Sequence, residues 1–328
     1  MRFLITGVGG FAGSHLADYL LAEPHADGAA APEVWGCDLG GARRPYHPPD
    51  LNLLAADLCQ PEAARYVIET VRPDAIFHLA GQAFVGDSWA DPWKTLETNL
   101  RAQVNLLEAV MAAELRPRVL VVGSADEYGP VTPAELPLSE THPLRPDSPY
   151  SVSKVGQDLL GLQYFLSYQL PVIRVRPFNH IGPRQNQRFV APAFAVQIAA
   201  IEAGQQPPVL KVGNLSARRD FTDVRDVVRA YALLMDRGEA GEVYNIGSGR
   251  SRPITDLLDG LLKLAAVDIR VEPDDSRMRV ADVPDLVCDA TRLTTRTGWQ
   301  PRIPLEQTLA DLLNYERARL AEAAPSAR

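Results

Sequence analysis

Tyr150 and Lys154 stand four residues apart in "SPYSVSK". Pro149 suits the first turn of a helix, and a helix puts such a pair on one face. A phenol, with a pKa of about 10, is a poor acid or base at neutral pH unless a nearby positive charge favours its phenolate. Upstream, "GSADEYG" at 123–129 sets Ser124, Asp126 and Glu127 just after the apolar run "RVLVV". Packing explains a strand ending of that kind poorly. A hydroxyl and a phenol converging on one oxygen could move a proton to or from it, and a carboxylate beside them could act as a base. A Tyr-x-x-x-Lys pair alone also fits an ordinary surface helix, so the reading depends on what surrounds it.

What surrounds it is a nucleotide-binding turn. "TGVGGFAGSHL" follows the first apolar run and opens a helical pattern, with glycines at 7, 10 and 13. Gly7 permits the tight turn, Gly10 lets backbone approach a pyrophosphate, and Gly13 lets the helix pack close to the sheet. The alternative is a tight strand–helix turn without a ligand; the strand–turn–helix context favours the cofactor. Asp38 ends the second strand, where a carboxylate accepts from an adenosine ribose and repels a 2′-phosphate. That favours NAD(H) over NADP(H), although Arg43 and Arg44 could hold the phosphate. Asp57 and Leu58 are placed to meet the adenine, or Asp57 caps a helix. Leu79, Ala80 and Gly81 end the fourth strand, where small residues admit the cofactor or a close helix. With a nicotinamide beside it, Lys154 is expected to bring the Tyr150 pKa towards the working range.

The elements that must hold these residues read as α/β. The runs "RFLIT", "EVWGC", "LNLLAAD", "AIFHLA", "RVLVV" and "PVIRVRP" are apolar on both faces, as parallel strands covered by helices are. Helical patterns lie between them, which predicts a doubly wound, Rossmann-type parallel sheet. After residue 177 the pattern is less regular. A nucleotide domain over 1–177, a substrate lobe over 178–320 interleaved with the end of the sheet, and a fraying tail over 321–328 are expected. The proline-dense segment 129–149 is expected over the carboxyl edge of the sheet.

The chain of 328 residues is long enough for a large core plus a smaller lobe. Its net charge of −8 argues against nucleic-acid binding. Cys37, Cys59 and Cys288 have no metal-ligand spacing, so no metal site is expected, and they suit a reducing cytoplasm. The opening "MRFLITG" enters a strand directly, which argues against a leader, and no run is long enough to span a membrane.

The glycine turn, Ser124, Tyr150-x-x-x-Lys154 and the late segment "GWQPRIPLEQTL" together resemble the extended short-chain dehydrogenase/reductase family, which acts on nucleotide sugars. The resemblance covers nearly the whole chain. It implies that Ser124 hydrogen-bonds the sugar O4, that Tyr150 moves the O4 proton, and that Lys154 holds the nicotinamide ribose. It adds Phe11, Ala12 and His180 to the cofactor-binding residues. "RPFNHIGPRQNQRFV" and "LKVGNLSARRDFTDVRDVVRAY" are similar to the branch containing GDP-mannose 4,6-dehydratases and GDP-4-keto-6-deoxy-mannose reductases. That branch implies Asn179, Arg219 and Arg279 at the GDP-sugar; forked guanidinium groups suit a diphosphate. Asp282 would accept from a ribose or orient Arg279, whereas Arg218 reads as a surface ion pair. Ser88 and Trp89 could line the sugar pocket and Lys211 could approach the base or phosphate, although packing or solvent explains each equally well. Asn99 reads as a support near Tyr150. Arg184 matches a dehydratase cofactor position only weakly. The resemblance also implies that the helices around 91–113 and 149–169 pair across a homodimer as a four-helix bundle.

A 4-keto reduction needs only a hydride to C4, a proton from Tyr150 and Ser124 at the oxygen. A dehydratase also needs a base at C5 and an acid at C6. Aligned on Tyr128-Gly129, Ala125 takes the place of a polar residue and Asp126 that of the glutamate base. Asp126 is one methylene short, and proton abstraction is sensitive to displacements of about an ångström. The reading is therefore a reductase giving GDP-D-rhamnose, with Asp126 at the substrate and Glu127 turned away by strand alternation. A 4,6-dehydratase, a 4-epimerase and a non-catalytic nucleotide-binding protein are the alternatives.

Overall fold

The computed structural model describes residues 1–22, 31–277 and 285–323. In chain order the first half runs β1 (Arg2–Thr6), α1 (Phe11–Ala22), β2 (Glu33–Asp38), β3 (Asn52–Ala55), α2 (Pro61–Val71), β4 (Ala75–His78), α3 (Val85–Ala90), α4 (Pro92–Ala112), β5 (Arg118–Val122), α5 (Pro149–Tyr168) and β6 (Val172–Pro177). The second half adds β7 (His180–Ile181), α6 (Val190–Glu202), β8 (Val209–Val212), β9 (Arg218–Asp220), β10 (Thr222–Asp223), α7 (Val224–Arg237), β11 (Val243–Ile246), β12 (Ser251–Pro253), α8 (Ile254–Leu262), β13 (Arg270–Pro273), α9 (Thr291–Thr297) and α10 (Leu305–Ala323).

Seven strands pair in parallel in the order β11-β6-β5-β4-β1-β2-β3. Each of the six apolar runs forms a strand, and the period of two explains why they are apolar throughout. Ile5, Phe77 and Leu120 enter a core with α1 and α7. Their neighbours Leu4, Ile76 and Val119 enter a second core with α2 and α4 on the other face. Order reverses beside β1, because the chain moves outward to β2 and β3 and then returns to β4. Ligands bind at the carboxyl ends of strands at such a switch point, and the Gly7 turn lies there.

The later residues form a third core, in which α6, α8 and α10 close over β8. One late strand, β11, returns to complete the sheet. Residues 321–323 continue α10. The proline-dense segment is pinned to the second half, since Leu138 N donates to Val287 O at 2.8 Å and Asp289 N to Leu138 O at 2.9 Å.

Two helix starts matter for the site. Ser148 caps α5, accepting from Ser151 N at 3.1 Å, and Pro149 occupies the first turn as its fixed φ allows. Asp91 caps α4 by accepting from Lys94 N at 3.0 Å. These caps fix where Tyr150 and Asn99 fall on their helices.

Candidate active site

Gly7 has a φ of +71°, and a Cβ there would lie 2.8 Å from Ala80 N. Only glycine allows that turn and that approach of β1 to the end of β4. A Cβ on Gly13 would collide with Gly7 O. Gly10 is exposed directly before α1, so the unpaired N–H groups and positive end of that helix open onto the cleft. Asp38 accepts from Gly9 N at 2.8 Å and Leu39 N at 2.7 Å, which sets its carboxylate at the rim of the same turn. Ala80 N donates to Thr6 Oγ1 at 3.1 Å, and Gly81 is exposed beyond it. This cradle fits a dinucleotide.

Other expected cofactor contacts divide. Phe11 and His180 stack with centroids 5.6 Å apart and planes 4° apart, with Ala12 beside Phe11. Burial lowers the His180 pKa, so its ring is neutral. Asp57 does not cap α2; that position is Gln60, and Asp57 instead accepts from Cys59 N at 3.0 Å. Leu58 is buried in the core. Arg184 pairs with Asp18 at 2.6 Å and lies over the Tyr46 ring. It buttresses α1.

Tyr150 and Lys154 are carried by α5, which packs against β5 and β6. Tyr150 and Lys154 share the buried face of α5. Lys154 Nζ donates to Val122 O and to Gln157 Oε1, both at 2.9 Å, and stands 5.9 Å from the Tyr150 ring centroid. Burial pushes its pKa down to about 8, opposed by Glu127. The Tyr150 pKa is raised, first by burial and next by the Asp126 charge, while a hydrogen bond with Ser124 pulls the other way. The expected lowering by Lys154 is therefore not seen in the protein alone: desolvation of a buried phenol outweighs it. Ser153 donates to Tyr150 O at 2.6 Å and Asn99 donates to Ser153 at 2.8 Å, so Asn99 supports the helix as expected.

Ser124 lies two residues past β5 and caps a 3-10 turn, Ala125–Tyr128, so strand alternation does not continue through it. Its hydroxyl accepts from Asp126 N at 3.1 Å. Asp126 is partly exposed and its charge reaches Tyr150. Glu127 is fully buried rather than turned to another surface. It accepts from Ser124 N at 2.8 Å and from Arg176 Nε at 3.1 Å.

Asn179 is exposed between β6 and β7. Arg219 lies on β9 and donates to Arg218 O at 2.7 Å; Arg218 itself pairs with Asp285 at 3.5 Å. Lys211 is turned to Glu272 across the β8–β13 pair, an ion pair instead of a phosphate contact. Ser88 is fully buried and donates to Val85 O at 2.7 Å, so its hydroxyl serves its own helix and does not line the pocket; Trp89 is exposed. Arg279 and Asp282 lie outside the described residues. Two contacts were missed in the sequence. Gln157, three residues past Lys154, carried an i,i+3 signal. Arg176 carried none, because its partners are distant in sequence.

This is a Rossmann-type sheet with a hydroxyl, a phenol and an ammonium gathered beside a dinucleotide cradle. The chain belongs to the GDP-mannose 4,6 dehydratase family, whose model matches residues 4–312. It is 38% identical over 321 residues to GDP-6-deoxy-D-mannose reductase of Pseudomonas aeruginosa, covering 98% of this chain and 99% of that one. It superposes with a TM-score of 0.85 on RMD from Pseudomonas aeruginosa complexed with NADPH, at 36% identity over 97% of this chain and 99% of that one. The same TM-score of 0.85 relates it to DesIV, a dTDP-glucose 4,6-dehydratase from Streptomyces venezuelae with NAD and TYD bound, at 28% identity over 99% of both chains. Among the described residues no helix is long and apolar enough to cross a membrane.

Proposed function

We propose that this protein reduces the C4 ketone of GDP-4-keto-6-deoxy-D-mannose to GDP-D-rhamnose with NAD(P)H. The observation that carries this reading is the site at the end of β5. Ser124 stands beside Tyr150 and draws its pKa down, Ala125 is buried and apolar, and Asp126 is one methylene shorter than a dehydratase base. The similarity to the Pseudomonas reductase supports it.

A bound reduced nicotinamide supplies the hydride that reaches C4. Ser124 and Tyr150 hold the ketone oxygen, and Tyr150 gives it a proton as charge develops there. A phenol with a raised pKa is protonated at neutral pH, which is the state an acid needs. Lys154 holds the nicotinamide ribose through its ammonium. Gly7, Gly10, Phe11, Ala12, Gly13, Asp38, Leu79, Ala80, Gly81 and His180 hold the rest of the dinucleotide. Asn179 and Arg219 face the GDP-sugar. We read residues 1–177 as mainly the nucleotide domain and 178–320 as mainly the sugar lobe.

We further propose a homodimer through α4 and α5. Val152, Leu159 and Leu166 leave an exposed apolar stripe along α5 at helical spacing, and Trp93 is 73% exposed on α4.

The activity is tested by giving the purified protein GDP-4-keto-6-deoxy-mannose with NADPH or NADH, and separately GDP-mannose alone. Oxidation of the reduced nicotinamide only with the keto sugar is expected; formation of keto sugar from GDP-mannose would contradict the reading.

A further inference from the structure

We propose that Glu127 is a positioning residue for the reduction: buried behind the catalytic pair, its carboxylate ties Ser124 to the Arg176–Asp158 pair and sets the charge that Lys154 and Tyr150 feel. The inference rests on the catalytic roles of Ser124, Tyr150 and Lys154 given above.

Each oxygen of Glu127 has a separate task. Oε1 accepts from Ser124 N at 2.8 Å and Oε2 from Arg176 Nε at 3.1 Å. Arg176 comes from β6 and also grips Asp158, one turn beyond Lys154 on α5. Arg174 reaches the other Asp158 oxygen at 2.7 Å. Thus one buried carboxylate joins the end of β5, the neighbouring strand β6 and, through Arg176, the catalytic helix. Gly123 makes room for it, since a Cβ there would collide with Glu127 Oε1. A carboxylate at 127 and a glycine at 123 are one device.

Charged and titratable groups surround Glu127 and the pair it acts on, among them His78 of β4 against Lys154 and Tyr231 of α7 against Tyr150. From α5 come Tyr150, Lys154 and Asp158, and from β6 Arg174 and Arg176. Its own turn supplies Asp126 and Tyr128. Glu140 gives its backbone oxygen to Arg176, and His142 packs on the Tyr128 ring. Burial, followed by Asp158, pushes the Glu127 pKa up to about 8, against the pull of Arg176 and the Ser124 N–H. Its ionised form raises the pKa of both Lys154 and Tyr150. The ionised carboxylate therefore favours the ammonium form of Lys154.

The test uses the wild type, E127Q and E127D. It reads the pH dependence of NADPH affinity by fluorescence and of kcat with the keto sugar. Removing the charge lowers both the Lys154 and Tyr150 pKa values. In E127Q the alkaline limb of both profiles is expected at lower pH, with kcat reduced about tenfold and the sugar KM little changed. E127D, which keeps the charge, is expected to return the limb towards the wild-type position. An E127Q limb that coincides with the wild type in both profiles would overturn the proposal. If E127Q does not fold, G123A takes its place by displacing the carboxylate: a fall in kcat with the alkaline limb of both profiles at lower pH is expected, and a kcat and limb that coincide with the wild type overturn the proposal. Absence of wild-type turnover strikes the reductase reading instead, and the binding profiles still decide this one.

Discussion

The Lys154 ammonium stands 5.9 Å from the centre of the Tyr150 ring and donates to the Val122 carbonyl and the Gln157 side chain. Both residues are buried, yet neither is paired with a carboxylate at hydrogen-bond distance. The protein holds a nearly dry cation beside a neutral phenol. That arrangement costs stability in the free protein, and a dinucleotide ribose placed between them would supply polar partners.

The cost is measurable. Lys154 falls from an ordinary 10.5 to about 8, which corresponds to on the order of 3 kcal/mol. The folded pKa is depressed, so between pH 8 and 10.5 the unfolded chain binds a proton that the folded chain has lost, and stability rises with pH. Lys154→Met is expected to be inactive but at least as stable as the wild type at pH 7 without cofactor. Lost bonds to Val122 and Gln157, about 1 kcal/mol each, offset part of the gain. Denaturant titrations should show the variant's advantage shrinking as pH rises through that window; an advantage independent of pH contradicts the assignment.

Ser124 has two roles that one variant can separate. As partner of the sugar oxygen, its loss in Ser124→Ala should lower kcat by about a hundredfold, the cost of removing one oxyanion donor. As cap of the turn through Asp126 N, its loss should cost only about 1 kcal/mol of stability. Kinetics and melting measured on one preparation check both. A stability loss with unchanged kcat would reduce Ser124 to a cap.

Much of this site was legible in the sequence because its signals are local. Gly7 announces a turn, and Tyr150 and Lys154 share a face at helical spacing. The strands were legible because burial on both faces leaves no polar alternation. Glu127 was misread by extending strand alternation past Ser124. The Ser-x-x-Glu spacing of a capping box was present there and signalled a turn. The pairing of Arg176 with Glu127 and Asp158 has no local signal, since three separate elements meet only in the fold. Ser88 and Lys211 were expected at the substrate from position alone, and nearer partners hold both.

Cofactor preference turns on Asp38 and Arg44, the side chains beside Gly9. Arg43 is spent on the backbone oxygens of Pro48 and Leu51, the latter at 2.7 Å. Arg44 is exposed, and its Nε would lie 3.8 Å from a Cβ built on Gly9, next to Asp38. Arg44→Ala is therefore expected to raise the KM for NADPH about tenfold, the loss of a charged hydrogen bond to phosphate, with little effect on NADH. Equal effects on both cofactors would count against a 2′-phosphate contact.

The apolar stripe on α5 predicts the assembly. Leu159 is 49% exposed at its middle. Leu159→Arg should convert a dimer to a monomer in sedimentation, because it places an unpaired charge in an apolar contact. A wild type that sediments as a monomer removes the dimer from the account.

Isotope transfer tests the central claim most directly. The protein is given GDP-4-keto-6-deoxy-mannose with NADPH or, separately, NADH deuterated at the transferable C4 position, and the product sugar is read by NMR. The account predicts deuterium at the sugar C4 and none elsewhere. An epimerase or a dehydratase returns its hydride internally, so product carrying no deuterium from either supplied cofactor would contradict it.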